Sequence, residues 1–248
     1  MAIRTERIEI PVGTGTMAGY LARPDDDTPR PGVVVFMEIF GINSHIRDVV
    51  ERVAAEGYVV LAPDYFHRTG PGVEYGYDDE GMGKGMALLG QLKADEMIAD
   101  AQAAVAALRA RSDVGDKVGA MGFCIGGHMT YLAACETDVN AAASFYGGGI
   151  AAPQGPGGQE PTLGRTSKIG GRILCLFGAE DSLIPSDQVD AIQQALGAAG
   201  TAHDTVVYPG ADHGFFCDQR ATYHKDAAAD AWERVKTLFA AELASSAG

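Results

Sequence analysis

Three residues of this chain could together carry out nucleophilic chemistry: Cys124, Asp181 and His213. Cys124 stands inside Gly122-Phe123-Cys124-Ile125-Gly126-Gly127. A thiol attacks as its thiolate, a minor form of free cysteine at neutral pH. A histidine within reach can take that proton and later hand one to a leaving group. A carboxylate on the far side of the histidine fixes its tautomer and steadies its charged form. Taken singly, a cysteine is more often packing than chemistry, and a loop histidine is usually just solvated. The reading rests on the three in their order: nucleophile, acid, base.

The elements that must hold them can be placed. A strand-like run, residues 117–121, precedes Cys124, and a helix-like run, 128–134, follows it. A small-x-nucleophile-x-small pattern at a strand-to-helix junction is the nucleophile elbow of the α/β-hydrolase fold. The spacing is not that of a dinucleotide fingerprint. The helix N-terminus favours an anion at Cys124. Asp181 follows a strand at 172–178 and His213 follows one at 202–208, so both lie at the carboxyl edge of a sheet, where catalytic groups collect. The N–H of Ile125, the residue after the nucleophile, is one expected oxyanion donor. The N–H of Ile39, after a buried strand at 31–37, is the other. Glu38, directly after that apolar run, is expected to be partly buried and to take part in the chemistry rather than lie in solvent.

Elsewhere, strands and helices alternate. An opening hairpin spans 8–12 and 17–22, and a polar loop spans 24–31. Strands are predicted at 33–37, 59–62, 118–121, 141–145, 173–177 and 204–207. Helices are predicted at 46–55, 94–110, 125–135, 186–198 and 223–243. This is an α/β pattern: a mostly parallel sheet covered on both faces, in a single domain over 1–248. Residues 63–85, rich in Gly, Tyr and Asp, and 147–171, rich in Gly and Pro, are loops on the catalytic edge, mobile surface or a rim over the pocket. Tyr146 either lines the pocket or packs in the core. His128, four residues past Cys124, is taken as structural, and His45 has no partner visible in the sequence.

The 248 residues suffice for one sizeable core, and 46% are hydrophobic. A net charge of −14 argues against nucleic acid and anionic membranes as partners. The four cysteines, 124, 135, 175 and 217, show no metal-type pairing, so no metal or cofactor is expected. Four unpaired-looking thiols and an N-terminal stretch without an apolar core lead to a cytoplasmic expectation. A monomer is favoured.

With these motifs on the page, the chain resembles the dienelactone hydrolase family, also called carboxymethylenebutenolidases, from about Ile8 to Leu243. The resemblance is carried by Cys124 in the elbow, Glu38-Ile39-Phe40-Gly41, the Gly-x-x-Asp-x-x-x-Pro pattern around Asp181, and His213-Gly214-Phe215. It implies that Cys124, Asp181 and His213 form the triad and that Glu38 contacts the resting thiol and helps activate it. It places the oxyanion donors at Ile39 and Ile125. The family's carboxylate-gripping arginines and tyrosine are not at their matching positions: one is Cys217, and the others fall in 80–86, which holds only Lys84 as a cation. Lys84 or Arg220 could substitute. The expectation is a cysteine-dependent hydrolase of a small lactone or activated ester, preferring one without a carboxylate. The rivals are a general carboxylesterase or thioesterase with the same triad, and a catalytically silent ligand-binding protein.

Overall fold

The computed structural model describes residues 1–26, 28–158 and 160–244. Residue 27 of the 24–31 loop, residue 159 of the 147–171 segment and residues 245–248 of the expected domain lie outside them. Eight strands form one sheet in the order β1-β2-β4-β3-β5-β6-β7-β8. β1 (Ile3–Val12) and β2 (Gly15–Pro24) make the opening hairpin, and β2 also runs antiparallel to β4 (Val59–Pro63). From β4 onward the neighbours are parallel: β3 (Arg30–Phe36), β5 (Val114–Phe123), β6 (Ala141–Phe145), β7 (Arg172–Gly178) and β8 (His203–Tyr208). The central strands are almost wholly apolar runs because helices cover both faces. Val33 to Phe36, Ala141 to Phe145 and Ile173 to Phe177 are buried throughout.

Six α-helices occur among the described residues: α1 (Ser44–Ala55), α2 (Asp79–Leu89), α3 (Ala94–Arg109), α4 (Ile125–Glu136), α5 (Ser186–Ala198) and α6 (Lys225–Glu242). Their buried positions recur at helical spacing, as with Met97, Ala101, Ala104, Val105 and Leu108 of α3. α1 starts at Asn43, whose side chain accepts the N–H of Ile46 at 3.2 Å. On one face α1 meets α6, where the Arg52 guanidinium lies 4.8 Å from the Trp232 ring centre. On the other face α3 packs on α4. α4 is buried along almost its full length, which a helix wedged between sheet and neighbours requires.

α2 corrects the sequence reading, which left 63–85 as loop. Gly81, Gly83 and Gly85 lower helix propensity and so hide it. Gly85 is needed for approach: a Cβ there would stand 2.6 Å from the Ile39 carbonyl oxygen. α2 thereby braces the loop after β3. The 147–171 segment likewise contains a short 3₁₀ helix, Thr162–Lys168. No helix among the described residues is long and apolar enough to cross a membrane.

Candidate active site at the carboxyl edge of the sheet

Cys124 sits between β5 and α4 with φ 59° and ψ −121°. That conformation is strained for a non-glycine residue and is the kind retained at functional sites. The flanking glycines make it possible by close approach. A Cβ on Gly122 would overlap the Gly126 carbonyl, one on Gly126 the carbonyls of Phe36 and Met37, and one on Gly127 that of Phe145. The start of α4 therefore packs directly on the ends of β3 and β6. That brings Ile39 and Ile125 into the same neighbourhood, and among the described residues neither N–H has another acceptor. One side-chain and one backbone hydrogen bond hold the loop: the Tyr65 hydroxyl donates to the Met37 carbonyl at 2.6 Å, and the Tyr75 backbone N–H to the Phe40 carbonyl at 2.9 Å.

His213 Nδ1 lies 2.8 Å from Asp181 Oδ2. The other Asp181 oxygen accepts the Leu183 N–H at 2.9 Å, and the aspartate side chain is fully buried. Burial alone would push the His213 imidazole toward its neutral form. The Cys124 sulfur beside it and the Asp181 hydrogen bond outweigh burial and hold its pKa up at about 10. His213 Nε2, the nitrogen on the Cys124 side, is buried and makes no hydrogen bond among the described residues. The Tyr146 ring meets the imidazole edge-on, centres 5.1 Å apart. Tyr146 has φ 37°, is fully buried, and its hydroxyl has no hydrogen-bond partner among the described residues. Burial, reinforced by Glu38, keeps that phenol protonated.

Glu38 is fully buried. One oxygen accepts from the Tyr77 hydroxyl at 2.9 Å and the other from Arg220 Nη1 at 3.1 Å. The carboxylate thus meets an arginine and a tyrosine, and none of its hydrogen bonds is to Cys124. This departs from the contact with the resting thiol that the family resemblance implies. The reason is Arg220, whose guanidinium lies over the rings of Phe40 and Tyr77, 5.8 and 5.7 Å from their centres. It reaches Glu38 because residue 214 is glycine, with φ +82°; a Cβ there would stand 2.6 Å from Arg220 Cζ. Cys217 is buried here too, its thiol pushed up to about 12 by burial and by Glu38. His45, in the first turn of α1, is buried among the rings of Tyr77, Phe123 and Phe216, and burial lowers its pKa.

The structure therefore brings together Cys124, Asp181, His213, Glu38, Ile39, Ile125, Tyr146 and Arg220. Lys84 stands apart: its ammonium pairs with Glu80 at 2.6 Å on the exposed side of α2. Tyr77 was missed by sequence reading; the only signal was the tyrosine-rich character of its segment. His128 is buried with Nδ1 2.9 Å from the Gly148 carbonyl and Nε2 2.8 Å from Thr162 Oγ1.

A sulfur beside an imidazole whose pKa is raised, two neighbouring backbone amides without another acceptor among the described residues and a buried carboxylate suit acyl transfer. Fold and site define an α/β-hydrolase. A model of the dienelactone hydrolase family matches residues 17–243. A "Putative carboxymethylenebutenolidase" of Synechocystis is 48% identical over 97% of this chain and 98% of its own length. One from Escherichia coli K12 is 34% identical over 93% and 84%. The crystal structure of a "Putative Dienelactone Hydrolase" from Klebsiella pneumoniae superposes with a TM-score of 0.87 at 34% identity, covering 97% of this chain and 99% of that one. The chain belongs to the dienelactone hydrolase family and is a carboxymethylenebutenolidase-like hydrolase of esters or lactones.

Proposed function

We propose that the chain hydrolyses a small lactone or activated ester through a thioester on Cys124. The observation that carries this is the His213–Asp181 pair at 2.8 Å, with the imidazole's other nitrogen bare beside a strained Cys124. The Cys124 thiolate attacks the carbonyl carbon while His213 holds the thiol's proton. The N–H groups of Ile39 and Ile125 receive the oxyanion. When the tetrahedral intermediate collapses, the C–O bond breaks and His213 gives its proton to the leaving alkoxide. Water, deprotonated by His213, then attacks the thioester, releasing the acid and restoring the thiol–imidazole pair. Asp181 keeps the imidazole oriented throughout. Glu38 restrains and then assists activation of the pair from its position between Arg220 and Tyr77. The apolar ring of Tyr146 fits a pocket wall.

The substrate this site favours is uncharged. Arg220 is already engaged by Glu38, and Lys84 points its charge at Glu80. A carboxylate entering the pocket would have to compete with Glu38 for Arg220. A bidentate arginine contact is worth about 1.5–3 kcal/mol, and that gain is largely spent in advance. The test compares an anionic dienelactone with its neutral methyl ester by kcat/KM at fixed ionic strength, with Cys124→Ala as control. Preference for the neutral compound is expected. A strong preference for the anion, lost in Arg220→Gln, would contradict the proposed selectivity.

A further inference from the structure

We propose that Glu38, His45 and Cys217 form a binding site for a thiophilic divalent cation of the zinc type. The three come from separate places: the loop after β3, the first turn of α1 and the loop after β8. One possible ligand atom of each lies within 4.8 Å of those of the other two. All three residues are buried. Within this group His45 Nε2 is buried with no hydrogen-bond partner among the described residues. A bare buried nitrogen is costly and needs a reason.

The donor set selects the ion. Imidazole nitrogen, thiolate sulfur and carboxylate oxygen are together the ligands of zinc, whereas magnesium and calcium prefer oxygen alone. Zinc bonds of about 2.0–2.3 Å place tetrahedral ligand atoms about 3.3–3.8 Å apart. A contraction of about 1 Å among three side chains would therefore seat the ion. The Cys217 S–H bond is exchanged for a sulfur–metal bond and its proton passes to solvent. His45 offers the lone pair of a ring nitrogen that no described residue occupies. Arg220 opposes the ion, because its guanidinium already holds Glu38 at 3.1 Å. The competition makes binding reversible by chelators. An ion bound here also takes Glu38 out of the reaction, so zinc inhibits the hydrolase; this consequence rests on the role given to Glu38 above. No sequence spacing signals the site, since its residues are numbered 38, 45 and 217.

The binding test uses Co²⁺ as a spectroscopic stand-in and the full chain carrying Cys124→Ser, so that the nucleophile's sulfur cannot contribute. One equivalent of Co²⁺ should produce a thiolate-to-cobalt charge-transfer band. Adding Cys217→Ser should abolish the band, and adding His45→Gln should weaken Co²⁺ binding at least tenfold, with circular dichroism confirming folded variants. Absence of the band, or its persistence in the Cys217→Ser protein, overturns the site. The second arm titrates Zn²⁺ against hydrolysis by the protein with Cys124 intact. Inhibition should be reversed by EDTA, and Cys217→Ser should need at least tenfold more Zn²⁺. Equal sensitivity in both proteins would place inhibition elsewhere and overturn the regulatory consequence. Failure of the hydrolase reading shows as absent turnover and leaves the cobalt band to be read on its own.

Discussion

Two buried histidines flank the nucleophile elbow, and their surroundings differ in kind. His128, one turn into α4, has both nitrogens matched to neutral partners, the Gly148 carbonyl and the Thr162 hydroxyl. Burial therefore wins, and its pKa falls to about 4. His213, after β8, is matched on one side only, to the Asp181 carboxylate, and meets a sulfur on the other. There charge outweighs burial, and the pKa rises to about 10. A satisfied imidazole in neutral company holds structure together. One with a buried carboxylate behind it and a bare nitrogen in front can move a proton. Burial and residue type do not separate the two; the charge of the partners does.

The comparison breaks first through activity. Cys124→Ala and His213→Asn should each lower kcat/KM for an activated ester by about a thousandfold or more, the scale of losing a member of a nucleophilic triad. His128→Asn, assayed per folded molecule, should stay within about threefold of wild type. A large loss there, in folded protein, would erase the distinction between the two histidines. Glu38→Gln, which keeps the shape but not the charge, should lower turnover by about tenfold. Wild-type rates in that folded variant would leave the carboxylate a purely structural partner of Arg220 and Tyr77.

Stability sharpens the same contrast. His128→Leu leaves the Thr162 hydroxyl buried without its partner and should cost about 1–3 kcal/mol in denaturant unfolding. The pH dependences of the two sites have opposite signs. His213 has a folded pKa above its unfolded value of about 6.5. Its stabilisation is complete below that value and is lost as pH rises through about 10. His128 has a folded pKa below its unfolded value. Its contribution is present above about pH 6.5 and is lost as pH falls through about 4. Unfolding free energies measured from pH 4 to 10 should flatten on the alkaline side in His213→Asn and on the acid side in His128→Leu. The reverse assignment would mean that the two environments are misjudged.

How far the sequence carried depended on range. The elbow is legible because the residues that permit it, Gly122, Gly126 and Gly127, stand together in one short motif, although only the Gly122 approach is within the motif and the other two are to Phe36, Met37 and Phe145. The strand before Asp181 is an apolar run, the strand before His213 is a shorter Val-Val-Tyr stretch at the sheet edge, and their order follows from the α/β pattern. The sheet and five of the six described α-helices were visible in this way. α2 was not, because its three glycines look locally like breakers, while one of them, Gly85, serves a contact with Ile39 more than forty residues away. The setting of Glu38 was hidden for the same reason. Arg220 reaches it across 182 positions through the gap left by Gly214, and Tyr77 across 39. Of the two cations considered for a substrate carboxylate, Lys84 pairs with Glu80 and Arg220 pairs with Glu38 beside Tyr77.

The central claim is that Cys124 carries the acyl group during turnover. A reaction with an activated ester, quenched in acid within the first turnovers and examined by intact-mass and peptide mass spectrometry, tests this most directly. The account predicts one acyl adduct per chain, on the peptide holding Cys124, absent from Cys124→Ala and accumulating in Asp181→Asn as deacylation slows. An adduct on another residue, or undiminished hydrolysis by Cys124→Ala, would contradict it.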